Sequence, residues 1–305
     1  MAGNIAGLIV AAFLMAHLAG PVLARARWLR RHPGVAVAVW AGVVAGVVVV
    51  LLALTGSVLA WPPGPVHSWV EHLRSCLPGH THSGELATMT LAVLSGGALL
   101  RALLHGAARA RRTIAERRRH HDMVRLIARY PDDPSDVCLI EHPAPVVYCL
   151  SQRSRPIVMT TGTLERLDAY QLSAVLEHER THLRRRHHLL LAVVDAVQAA
   201  LPWSATLRHA RSELSRLVEM VADDAAAHRY GPAPVIGALR SLELRSGPPG
   251  GLAAAGETRE LLEQRIARLE SGEVPGRLSV GAAIALACPP LFGLIVIAVG
   301  LQLSC

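Results

Sequence analysis

Residues 172–188 read LSAVLEHERTHLRRRHH, and the five at their centre, His178-Glu179-Arg180-Thr181-His182, decide how the rest of the chain is understood. The stretch reads as a helix. Residues four apart on a helix stand one above the other on a single face, so the imidazoles of His178 and His182 are placed to bind one metal ion. Glu179 is turned by about 100° from His178, close enough to take a proton from a water held there without being a ligand itself. Zinc is the expected ion, and Glu179 the expected general base. Arg180 departs from the uncharged residues usual at the two intervening positions.

A hydrolytic zinc site wants three protein ligands and an open fourth position. On a separate helix, Glu219-Met220-Val221-Ala222-Asp223 sets two carboxylates four apart on one face. Glu219 is the expected third ligand, with Asp224 and Glu213 the alternatives. Asp223 is placed to accept a hydrogen bond from a ligand histidine and so fix its tautomer. Leu214, Leu217, Val218 and Val221 surround these acids, which argues that the helix is partly buried. His228, farther along it, reads as a solvated helix end.

The His-Glu-x-x-His segment within Glu177 to His187, the apolar stretch ending Leu201-Pro202-Trp203, and the Glu219–Asp223 element together resemble the BlaR/MecR-type membrane zinc metallopeptidases. The resemblance covers mainly residues 136–230 and, in membrane layout, the remainder. It implies a gluzincin-like, α-rich peptidase domain with zinc on His178, His182 and Glu219, and Glu179 as base. It also implies a cytoplasmic transcriptional repressor as the protein substrate. The best-known branch of that family carries a penicillin-binding sensor domain after its last membrane span. This sequence stops at Cys305, so the expectation is a peptidase core without that sensor.

The composition is 51% hydrophobic with a mean hydropathy of +0.34, yet only 4% aromatic. Its apolar residues gather in long runs, as in membrane chains. Four runs are long enough to span a bilayer: about Ile5–Ala24, Val35–Ala60, Leu86–Leu104 and Leu278–Leu303, the last interrupted by Pro289 and Pro290. The arginines that carry the net charge of +8 cluster after the first and third runs, at Arg25, Arg27, Arg30 and Arg31 and from Arg109 to Arg119. By the positive-inside rule those loops face the cytoplasm, against anionic headgroups, and the loop Trp61–Glu85 lies outside. No direct nucleic-acid contact is expected. His67, His72, His80 and His82 in the outer loop read as solvated. Cys76 and Cys305, both expected outside, are candidates for a disulfide, whereas Cys138 and Cys149 are expected to be reduced thiols.

The expected fold is therefore mainly α, with three membrane helices over 1–104, a cytoplasmic zinc metallopeptidase domain over 105–277 and a fourth membrane helix over 278–305. Within the domain, Val137–Ile140, Val146–Leu150 and Ile157–Thr161 read as short strands of a small sheet or hairpin set. Thr163–Leu167, Leu172–His188, Ala205–Arg229 and Glu257–Glu270 read as helices, with a Gly/Pro break at Gly247–Gly251. Leu189–Leu201 is apolar, but the residues expected to share one metal flank it. It cannot cross a membrane once, and reads as a buried, interfacial or re-entrant segment. The function expected is zinc endopeptidase activity at the cytoplasmic face of the cell membrane, in regulated cleavage of a repressor. The alternatives are HtpX-like membrane-protein quality control and a non-catalytic signalling protein with a vestigial site.

Overall fold

A computed structural model describes residues 13–26, 31–60, 83–127, 136–150, 157–242 and 259–272. In chain order the elements are α1 (Ala19–Ala24), α2 (Pro33–Ala60), α3 (Ser83–Ile127), β1 (Val137–Ile140), β2 (Val147–Cys149), β3 (Ile157–Thr160), α4 (Thr161–Arg166), α5 (Ala169–Arg184), α6 (His187–Ala200), α7 (Ala205–Tyr230), α8 (Pro232–Leu242) and α9 (Arg259–Glu270). The described part of the protein is mostly helical with one small sheet, in the strand order β1-β3-β2. β1 pairs parallel with β3 and β2 antiparallel.

The sheet alternates as a two-residue period requires. Val137, Val147, Ile157 and Met159 turn to Leu172, Leu176 and Leu183 of α5. Cys138, Tyr148 and Val158 pack on the other face with Val124 of α3. Both cysteines are buried, on opposite sides of the sheet. α5 starts at a capping box, in which Asp168 accepts the backbone N–H groups of Tyr170 and Gln171 and the Gln171 side chain returns to the Asp168 N–H. This cap fixes the rotation of the helix that carries the two histidines.

Residues 172–188 are not one helix. α5 ends at Arg184, Arg186 adopts the left-handed conformation (φ 53°), and α6 begins at His187. A non-glycine residue there costs about 1–2 kcal/mol, and it turns the chain so that His187 reaches back toward α5. α6 is a short apolar helix packed between α3 and α7, which fits the reading of Leu189–Leu201 as a segment that does not span. Its outer side leaves Leu189 and Val193 exposed. Asp195 within it pairs with Arg211 of α7.

α7 is shared between two cores. Its first half places Leu207, Ala210, Leu214, Leu217 and Val218 against Trp40, Val44 and Val47 of α2 and Leu191 and Val194 of α6. Its second half places Ala226 and Ala227 with Ala174 of α5, Val235 of α8 and Leu269 of α9. The N-terminal segment locks onto the start of α7. The Gly20 N–H donates to Thr206 Oγ1 at 2.9 Å, and the Ser204 hydroxyl donates to the Ala16 carbonyl at 2.8 Å. Gly231 (φ 83°) then ends α7, and Pro232 opens α8, a helix the sequence pattern did not announce.

Among the described residues one helical segment is long and apolar enough to cross a membrane, Pro33–Val50 of α2, with a mean hydropathy of 2.3. It covers the start of the expected span Val35–Ala60. α3 contains the expected span Leu86–Leu104 and continues without interruption across the expected boundary at 104/105. Residues 278–303, most of the outer loop, Gly247–Gly251, Cys76 and Cys305 lie outside the described residues.

Two glycine substitutions separate crowding from free space. A Cβ on Gly162 would meet the Pro143 carbonyl oxygen at 2.1 Å, whereas one on Gly34 meets nothing within 4 Å. Gly162→Ala is expected to lower stability by about 1–3 kcal/mol, because backbone must yield. Gly34→Ala is expected to be neutral or stabilising. Thermal unfolding of the two variants checks both.

Candidate metal centre

α5 and α7 cross so that the inner face of one meets the inner face of the other. His178 and His182 direct their Nε2 atoms toward the carboxylate of Glu219, with the three ligand atoms all within 4.8 Å of one another. His178 Nε2 lies 3.1 Å from His182 Nε2 and 3.4 Å from Glu219 Oε2. His182 Nε2 lies 3.5 Å from Glu219 Oε1. A tetrahedral zinc ion with bonds of about 2.0–2.1 Å sets neighbouring ligand atoms about 3.3–3.4 Å apart. The triangle fits that ion in size, and its two-imidazole, one-carboxylate set suits its chemistry. Of the alternatives for the third position, Glu213 pairs with Arg216 and Asp224 with Arg268, and among the described residues neither stands in the cluster with His178 and His182.

The far side of each imidazole is also occupied. His178 Nδ1 donates to Asp223 Oδ1 at 3.0 Å, which leaves Nε2 of the neutral ring as the acceptor that a metal needs. His182 Nδ1 sits 3.0 Å from Nδ1 of His187, a buried residue whose role the sequence pattern did not reveal. If His182 is to present a bare Nε2, its Nδ1 carries the proton and His187 Nδ1 accepts it. Burial, with His182 alongside, pushes His187 down to about 3 and so keeps it neutral for that task.

Charge is balanced tightly here. Burial opposes the charged form of every group, yet hydrogen bonds to Asp223 and Glu219 lift His178 to about 10. Glu219 is brought down to about 2 against its burial by His182, His178 and Arg265. Asp223 is likewise held far below the ordinary range, against its burial, mainly by Arg265 and then His178. For His182 burial prevails and lowers its affinity for a proton, with Glu219 opposing.

Glu179 lies partly exposed on the next stripe of α5. Its neighbour on the sheet is the Cys149 thiol, which burial and then the Glu179 and Glu219 carboxylates push upward, so the sulfur stays protonated. Glu177, one residue before the motif, is buried and held by Arg184 and Arg229 (2.5 and 3.0 Å). Arg180, the unusual residue inside the motif, is bidentate to Asp136 at 2.7 Å on both oxygens, tying α5 to the start of β1. His228 stands exposed on the last turn of α7.

A paired-histidine helix with a glutamate on its next stripe, facing a carboxylate from a second helix, is the arrangement of a metallopeptidase. Residues 113–214 match the family model of Peptidase family M48, which supports the M48 metallopeptidases as the family of this region. The match takes in His178, Glu179 and His182 and stops within α7, before Glu219. M48 peptidases are zinc enzymes, and the His178–His182–Glu219 cluster is compatible with that metal. No curated protein and no solved structure matches the chain.

Replacing His187 tests whether the far side of His182 matters. His187→Leu is expected to lower Zn2+ affinity about 10–100-fold, the usual effect of removing a group that orients a ligand. Competition with a chromophoric chelator measures it.

Proposed function

We propose that the protein is a membrane-embedded zinc metalloendopeptidase of the BlaR/MecR type that hydrolyses peptide bonds at the cytoplasmic face of the cell membrane, in regulated cleavage of a transcriptional repressor. The observation that carries the catalytic part is the triangle of His178, His182 and Glu219 with Glu179 beside it, its helix α5 lying in the region that matches a peptidase family. The membrane part is supported by the apolar helix Pro33–Val50 and by the arginine clusters that follow the first and third apolar runs.

His178, His182 and Glu219 would hold a Zn2+ ion, which would supply Lewis acidity toward a water and the scissile carbonyl there. The Glu179 carboxylate takes the proton and returns it to the departing amine. Asp223 Oδ1 holds the proton on His178 Nδ1 throughout, so this imidazole keeps one tautomer. The repressor reading rests on the motif resemblance carried by the His178–His182 and Glu219–Asp223 elements.

Three variants test the assignment of roles. Glu179→Ala is expected to bind Zn2+ at one ion per chain and to lose at least about 100-fold in peptide hydrolysis, since general-base catalysis contributes about 10²–10⁴-fold. His182→Ala and Glu219→Ala are expected to lose both metal and activity. Zinc retained by Glu219→Ala at the wild-type level would show that another group completes the site. Glu179→Ala also serves as a trap: a single DNA-binding client in pull-downs supports repressor cleavage, whereas many misfolded membrane proteins point to quality control. Reporter fusions at Asp136 check the cytoplasmic orientation.

Metal uptake has a pH signature. In the metal-free protein His178, lifted to about 10, holds a proton that its Nε2 must give up to the ion. Calorimetry in buffers of different ionisation enthalpy is expected to record release of about one proton per Zn2+ near pH 7.5. The linked stability has the matching sign. The raised pKa stabilises the metal-free fold fully below the ordinary value of 6.5, and that contribution is lost as pH rises toward about 10.

A further inference from the structure

Arg265 lies on α9, outside the region of the family match and separated from α7 by residues 231–258, and it is 3% exposed. Its guanidinium forks onto Asp223, with Nε to Oδ2 and Nη2 to Oδ1 both at 2.7 Å. Its remaining nitrogen, Nη1, lies 3.5 Å from Glu219 Oε2. The same Asp223 Oδ1 accepts from His178 Nδ1, and the same Glu219 Oε2 faces His178 Nε2. One arginine therefore touches both carboxylates of α7 that address the metal triangle, each at the oxygen that also meets His178.

We propose that Arg265 is a positioning residue of the metal centre: α9 supplies a guanidinium that sets the plane of the Asp223 carboxylate and the rotamer of Glu219, and thereby the geometry offered to the ion. The inference deepens the metallopeptidase reading and rests on it. Two features separate this role from ordinary helix packing. The fork is bidentate and buried, a geometry that an ammonium cannot reproduce. One turn along, α9 has a natural control, since Arg268 is also bidentate, to Asp224, which does not face the imidazoles. Both arginines attach α9 to α7, Arg265 through the two carboxylates that meet His178 and Arg268 through Asp224.

The test uses residues 1–305 in detergent, with Zn2+ affinity read by chelator competition and the absorption spectrum of the Co2+-loaded protein read for ligand geometry. Arg265→Met is expected to weaken Zn2+ binding at least about 10-fold and to change the Co2+ spectrum. Arg268→Met is expected to cost comparable thermal stability while leaving affinity and spectrum at wild-type values. Should Arg265→Met fail to fold, Arg265→Lys decides. It keeps the charge but not the fork, and is expected to fold, bind Zn2+ more weakly than wild type and show the altered spectrum. A folded Arg265→Met or Arg265→Lys with wild-type affinity and spectrum overturns the proposal, as does an Arg268→Met that weakens the metal equally. Wild-type protein that takes up no Zn2+ removes the metallopeptidase reading and this inference with it, whereas a wild type that binds the ion while the Arg265 variants bind it equally well removes the inference alone.

Discussion

Glu219 and Asp223 must share a water-poor space with His178 and His182, and that constraint organises the centre of the molecule. Two carboxylates one helical turn apart repel each other and resist burial. They are tolerated because each meets donors on more than one side. Asp223 is held between His178 and the Arg265 fork, and Glu219 between two imidazoles and the tip of the same arginine. The array fixes both acids as anions and both imidazole orientations before any ligand arrives. A site arranged in advance spends little binding energy on reorganisation.

Holding that array in place requires α7 to be rigid, and the two cores along its length provide this. The apolar first half is gripped by α2 and α6, the second by α5, α8 and α9. The grip is close enough at Gly20 that the helix backbones nearly touch, a Cβ there meeting Thr206 Cα at 2.5 Å. Interiors packed this tightly transmit displacement rather than absorb it. The helix carrying the third candidate ligand is thus continuous with the core that contains the most apolar helix of the described structure. α2 and the metal centre are parts of one packing unit.

Much of this was legible in local pattern. The His178–His182 spacing, the Glu219–Asp223 spacing and the strand alternation each depend on residues a few positions apart, where backbone periodicity dictates geometry. The strands Val137–Ile140 and Ile157–Thr160 and the helix Ala205–Tyr230 follow the expected ranges within a residue or so. What escaped depends on partners far away in sequence or on a rare backbone state. The polar run through Arg186 looked helical because nothing in an arginine signals a left-handed φ. Nothing in the local pattern singles out His187, which that turn buries against His182. Arg265 sits on a short amphipathic helix, where an arginine is normally a solvated charge. Its choice of Asp223, 42 residues away, is made by the packing of Leu269 into the α5–α7–α8 core.

The difference between Glu179 and its acidic neighbours follows from the same electrostatics. Glu177, Glu219 and Asp223 are each fixed in place by arginines or imidazoles. A general base, the role proposed for Glu179, must have a carboxylate that can accept a proton, rotate and release it. Tying it to a guanidinium would lower its basicity and restrict its motion. The neighbour that β2 gives Glu179 is the Cys149 thiol, kept protonated by burial and by the carboxylates around it. The fold thus gives Glu179 a different kind of neighbour, a thiol, from the arginines and imidazoles that hold Glu177, Glu219 and Asp223.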